Sequence, residues 1–114
     1  MDPEHRMRPV RIRRRAIGDI EQHAEYLGYH APPDVAIRFR SAVLTAIDQI
    51  AFMPSAGSPV SVQNPRLRGL RMKVVPGFGN YLMFYLTPDG DVNIIRVFHG
   101  AQDTLTILED EELE

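Results

Sequence analysis

The stretch "LRGLRMKVVPGFGNYLMFYLTPDGDVNIIRVFHG", residues 67–100, decides the fold. Leu70, Met72 and Val74 alternate with Arg71, Lys73 and Val75, and Leu82, Phe84 and Leu86 alternate with Tyr81, Met83 and Tyr85. A period of two belongs to strands, whose successive side chains point to opposite faces. In "TPDGD" a proline, with φ held at about −65°, stands beside a glycine that tolerates positive φ. The chain is therefore expected to turn there, and "VNIIRVFH" returns as the third strand of a meander. One set of side chains is expected to face helices. The other, with Arg71, Lys73, Tyr81 and Tyr85, is expected on a face left partly open.

The helices lie upstream. In "AIGDIEQHAEYLGY" the apolar positions Ile17, Ile20, Ala24 and Leu27 keep helical spacing, and Gly28 falls near the end. A proline pair restarts the chain, and Val35, Phe39, Val43, Ala46, Ile47 and Ile50 form a second stripe that Pro54 stops. The short connection predicts an antiparallel helical hairpin. Before it, "VRIRRR" sets Val10 and Ile12 against arginines, a short strand with one solvated face. "SAGSPVSVQNP" reads as an irregular connection. The order β-α-α-β-β-β predicts an α+β domain over residues 10–108, with the hairpin on one face of a largely antiparallel four-stranded sheet. Residues 1–9 read as a flexible leader and "EDEELE", 109–114, as a solvated acidic tail.

Composition narrows the function classes. A chain of 114 residues, 44% hydrophobic, supports one core. It has no cysteine, so disulfides and thiolate metal sites are excluded, and His5, His23, His30 and His99 lack ligand spacing. Neither a metal nor another cofactor is expected. No apolar run reaches the ~20 residues of a membrane span, and no apolar secretion segment follows the arginine-rich start, so the cytoplasm is the expected compartment, with no membrane partner. The net charge of −2 is asymmetric: six of the thirteen bases lie between Arg6 and Arg15, and six of the fifteen acids lie in residues 103–114. Without those last residues, nine acids face thirteen bases, a net of +4. This is weak for a protein that holds nucleic acid by its phosphates alone.

Arg96 and His99 interrupt the last strand. An arginine within an apolar strand needs a partner, and helix one offers Asp19 or Glu25. His99 reads as a strand-end histidine held by a backbone group or a tyrosine. By strand parity Arg96 falls with Val92, Ile94 and Phe98, and His99 with Asn93, Ile95 and Val97, so a regular strand does not present both on one face.

Ala16, Asp19 and Tyr26 in helix one, "AIRF" in helix two, "MPSAG" at its end, "LRGLRMKVVPGFGNYLMFY" in the meander and "VNIIRVFHGAQD" at the close together resemble the ParE/RelE superfamily of bacterial toxins, nearest its ParE, or plasmid-stabilisation, branch. The resemblance covers about residues 10–108. It implies a growth-inhibiting toxin, neutralised by a cognate antitoxin that is a small acidic DNA-binding protein. ParE-like members act on DNA gyrase and block replication; RelE-like members enter the ribosome and cut mRNA. Where family members often carry arginine, this chain has Thr87 and Gln102.

Cutting RNA through its 2′-hydroxyl requires a base, an acid and cations for the phosphate. His99 as acid or base, Arg71, Lys73 and Arg96 on the phosphate, and Tyr81 or Tyr85 stacking on a base would be the ribonuclease set. With a single lysine and weak body charge, the chain instead favours a gyrase inhibitor without catalysis, whose target or antitoxin contacts would come from Arg71, Lys73, Tyr81, Tyr85 and Arg96. A non-toxic member that only binds its antitoxin is the third possibility.

Overall fold

The structure, a computed structural model, describes residues 7–112. Most of the expected leader and the last two residues of the expected tail lie outside the described residues; of the leader, Arg8 and Pro9 are tied into the fold, through Arg8 N–H to Ala51 O at 2.8 Å and Val92 N–H to Pro9 O at 2.9 Å.

The elements run β1 (Val10–Ile12), α1 (Arg14–His30), α2 (Pro33–Phe52), β2 (Ser58–Pro59), β3 (Arg71–Val75), β4 (Phe78–Leu86), β5 (Val92–His99) and α3 (Thr104–Glu109). The sheet has five strands, not the expected four, in the order β1-β5-β4-β3-β2. The additional strand, β2, is two residues beside Met72 and Arg71, too short and too proline-rich to give a period-two signal. The β1–β5 pair is parallel and the other three pairs are antiparallel. The hairpin appears as expected: α1 and α2 are separated by Ala31 and Pro32, Pro33 opens α2 where its missing N–H costs nothing, and the helices pack on one face.

Both faces of the sheet are covered, and this reverses the expected sidedness. Phe39, Val43 and Ile50 of α2 and Ala16 and Ala24 of α1 pack against Val75, Tyr81, Met83, Tyr85, Val92, Ile94 and Val97. The opposite face buries Phe84, Ile95 and Phe98 under Leu67, Leu70 and Leu108, the last from α3. Arg71, Lys73, Tyr81 and Tyr85 do share a face, since Arg71 stands opposite Tyr85 and Lys73 opposite Met83, but it is the helix face. With both faces buried, each alternating set is apolar, so hydrophobicity alone could not say which one the helices cover.

Two register shifts complete the correction. One lies between Val74 and Val75, so Val75 enters the helix-side core while Val74 is exposed. In the other, Tyr85 faces Ile94 but Phe84 faces Arg96, which makes Ile95 the extra residue of a β-bulge. Past the bulge Val97 and His99 lie on the helix face and Arg96 and Phe98 on the other. Arg96 and His99 are on opposite faces, as the parity argument required, although their companions Val92, Ile94 and Ile95 fall otherwise.

Candidate functional site

β1 pairs with β5 only as far as Ile94, so the outer edge of β5 is uncovered by a strand from Ile95 onward. Two side chains one turn apart on α1 take the place of the missing strand. Asp19 Oδ2 accepts the N–H of Val97 at 2.9 Å, and His23 Nε2, whose proton must point at an oxygen here, donates to the carbonyl of Val97 at 2.8 Å. The (i, i+4) spacing places both on one helix face, at the reach of one residue of strand. A capped edge neither frays nor recruits another chain.

Asp19 also anchors Arg96. The guanidinium donates from Nε to Asp19 Oδ2 at 2.7 Å, from Nη2 to Asp19 Oδ1 at 2.8 Å and from Nη1 to Glu111 Oε1 at 2.8 Å. The hydrogen bonds to Asp19, first, and the one to Glu111 hold Arg96 charged well above the usual arginine range, against the burial that opposes it. The guanidinium carbon of Arg96 lies over the Phe98 ring, 4.6 Å from its centroid. Of the two expected partners Asp19 is the one used. Glu111 is the member that sequence reading missed: inside "EDEELE" it reads as part of a solvated charge run, yet it is only 3% exposed and also faces Arg15 at 3.4 Å. Its backbone carbonyl and that of Leu108 accept the Asn64 amide, both at 2.9 Å, and Glu109 accepts the N–H groups of Gln63 and Asn64 at 2.9 and 2.7 Å. The expected solvated tail is thus, through residue 111, a strap across the second face of the sheet.

A second knot holds Arg71 and Tyr85. Tyr85 O–H donates to Pro54 O at 2.8 Å and accepts Gly57 N–H at 2.8 Å, and Arg71 Nη1 donates to Gly57 O at 2.6 Å. Burial pushes the Tyr85 phenol above its ordinary value, partly offset by the Gly57 N–H and by Arg71. Gly57 is required by space: a Cβ there would stand 2.7 Å from Tyr85 Cε1 and 2.9 Å from Met72 O.

Tyr81 and His99 stand together at the far end of the meander, opposite each other in register, with rings edge-on at 4.9 Å. Burial also raises the Tyr81 phenol. His99 Nδ1 accepts Ala101 N–H at 3.0 Å, so its ring proton sits on Nε2. The structure therefore brings Tyr81 to His99 and Arg71 to Tyr85, sets Arg96 apart on the other face, and leaves Lys73 without a side-chain partner among the described residues. Among those residues there is no cluster of three or more histidines and carboxylates suited to a metal, and no helix long and apolar enough to cross a membrane.

A helical hairpin on a meander with a parallel N-terminal strand is the architecture of a class of small toxins from type II toxin–antitoxin systems. Residues 10–104 match the family described as the ParE toxin of the type II toxin–antitoxin system parDE, and the chain belongs to that family. Its fold is similar to that of a chain in the chromosomal ParDE toxin–antitoxin system from P. aeruginosa, with a TM-score of 0.66 at 13% identity, covering 82% of this chain and 96% of that one. No curated protein matches.

Proposed function

We propose that this ParE-family toxin acts by binding DNA gyrase and so arresting replication, and that a cognate antitoxin, a small acidic DNA-binding protein, neutralises it. The observation that carries the choice over mRNA cleavage is the engagement of two of the three would-be catalytic cations, Arg71 and Arg96. Arg96 gives three donors to Asp19 and Glu111, and Arg71 is tied to the backbone of Ser55 and Gly57. Phosphoryl transfer needs such groups aimed at an incoming phosphate. Tyr85, a ribonuclease candidate on the same face as Arg71, is wholly buried with both its hydrogen-bonding roles filled. A protein that inhibits by surface contact can use other side chains, so this engagement withdraws Arg71, Tyr85 and Arg96 from the expected target contacts without opposing that mode of action. The pairing with an antitoxin agrees with the family and with the exposed apolar side chains Ile37 and Leu44, seven residues apart on α2, which a partner helix could cover.

The test is to induce the chain alone in growing bacteria and follow labelled thymidine and leucine incorporation over the first minutes, with supercoiling assays on purified gyrase. An early fall in thymidine incorporation and loss of supercoiling are expected. Immediate collapse of leucine incorporation, abolished by His99→Ala with antitoxin binding intact, would overturn the gyrase reading in favour of mRNA cleavage.

A further inference from the structure

Gln22, His23 and Tyr26 of α1, Tyr81 of β4, His99 of β5 and Gln102 just beyond it line one open groove of about 390 Å³. That volume lies within the roughly 300–1,000 Å³ of small-molecule sites. No lysine, arginine, aspartate or glutamate is among the lining residues. The rings are held in place from behind: His23 by its bond to Val97 O, and Tyr81 edge-on to His23 at 5.0 Å and 71° and to His99 at 4.9 Å and 88°. None of these three stacks face to face on another. Tyr26, at the rim, is exposed.

Two of the groove's polar groups, on Gln102 and His99, are held as firmly as the rings. Gln102 Oε1 accepts His99 N–H at 2.7 Å, which leaves its amide NH₂ for another acceptor. His99, with Nδ1 occupied by Ala101, keeps Nε2–H as a donor. Gln22 has no side-chain partner among the described residues and offers both an acceptor and a donor. A site of ring walls and amide edges fits a planar, uncharged ring with hydrogen-bonding edges of its own. A purely apolar ring from a protein partner would leave these amides and the imidazole unpaired on burial. Nucleobases have the required form: they stack on aromatic side chains and present edges that glutamine and histidine can read.

We propose that this groove binds a nucleobase. With no cation on its walls, recognition is of the base and not of its phosphate, so the source is either a free nucleoside or an unpaired base of a single strand. The proposal is independent of the gyrase reading and stands or falls on its own test.

The test uses the full chain, with the aromatic ¹H–¹³C resonances of His23, Tyr26, Tyr81 and His99 followed by NMR during titration with adenosine and, separately, with a short single-stranded oligodeoxyadenylate. Saturable shifts of these rings are expected. Joint substitution Tyr26→Ala and Gln22→Ala, at exposed positions that leave the core intact, should weaken binding about tenfold, whereas Tyr29→Ala, outside the groove, should not. Tighter binding of the oligomer at the same rings would assign the base to a strand, and equal affinities would assign it to a free nucleoside. Absence of shifts with both probes at millimolar concentration, or unaltered binding by the double variant, would overturn the proposal.

Discussion

Replacing Asp19 by asparagine removes one charge and changes one atom, and the surroundings of that atom set the cost. Asp19 accepts three hydrogen bonds, two from Arg96 and one from Val97 N–H, at 2.7, 2.8 and 2.9 Å. In Asp19→Asn the new NH₂ faces either Arg96 Nη2 or the Nε and Val97 N–H pair, so at least one donor meets a donor whichever way the amide is turned. Breaking a buried ion pair by removing one partner costs roughly 3–5 kcal/mol. Two facts reduce that figure: the Arg96 and Asp19 side chains keep 14% and 10% of their exposure, and Glu111 still holds Nη1. The expected loss is about 2–4 kcal/mol, or roughly 8–16 °C in Tm for a domain of this size.

Urea unfolding followed by far-UV circular dichroism measures the loss, since the chain has no tryptophan to report by fluorescence. A cycle with Arg96→Met then separates the pair from the strand cap. If the ion pair dominates, Asp19→Asn in the Arg96→Met background costs at least about 1.5 kcal/mol less than in the native chain. A loss under about 1 kcal/mol in the native background, or strict additivity in the cycle, would refute the argument that Asp19 anchors Arg96.

Three further outcomes follow from the other contacts. Gly57→Ala should cost about 1–3 kcal/mol, because its Cβ meets Tyr85 Cε1 and Met72 O at 2.7 and 2.9 Å; unchanged urea stability would show that the knot yields freely. Asn64→Ala removes the amide that holds Leu108 and Glu111, so the strap over the second face should be cut by protease sooner than in the native chain; equal cleavage rates would deny it that role. In a Tyr26→Phe, Tyr29→Phe variant the phenols that remain are Tyr81 and Tyr85, both raised above the ordinary value of 10.0 by burial. Because the folded state holds them neutral while the unfolded state releases the proton near 10, the stability they contribute is full below pH about 10 and is lost as pH rises beyond it. Phenolate absorbance should therefore appear with alkaline unfolding, and its appearance in the still-folded chain near pH 10 would contradict the burial argument.

Elements with a strong period were legible in the sequence. Both helices, the meander, the turn at Pro88–Gly90 and a helix-one carboxylate, Asp19 or Glu25, as the partner of Arg96 follow from spacing and from the cost of an unpaired buried arginine, and the structure selects Asp19. Sidedness was not legible, because Leu82, Phe84 and Leu86 are as apolar as Tyr81, Met83 and Tyr85 and the second face has its own cover in residues 60–70 and α3. Nor was the bulge at Ile95, which adds a residue without leaving a glycine or proline to mark it. Of the site, His23 lies one turn after Asp19, and that spacing is the signal that could have found it. Glu111 has none: only the fold distinguishes it from the acids on either side.

The same contacts bear on how a mildly basic body can serve a toxin. Arg38 and Arg40 pair with Asp34 and Glu21 on the helices, Arg71 is tied to backbone carbonyls, and Arg96, with Arg15 nearby, is neutralised by Asp19 and Glu111. The cations with no side-chain partner among the described residues include Arg66 and Arg68, beside Leu86 and Thr87 at the turn end of the meander, and Lys73 on β3. Net charge therefore overstates what is left for a long-range grip on phosphate, since paired charges cancel beyond about a Debye length. Arg66 and Arg68, together with exposed apolar side chains such as Ile37 and Leu44 on α2, make a surface better matched to a protein partner, where a few arginine and aromatic or aliphatic anchors carry most of the binding energy. The internal ion pairs thus connect the fold to the proposed mode of action: the Arg96 charge that holds β5 and the strap in place is one that a nuclease would need free.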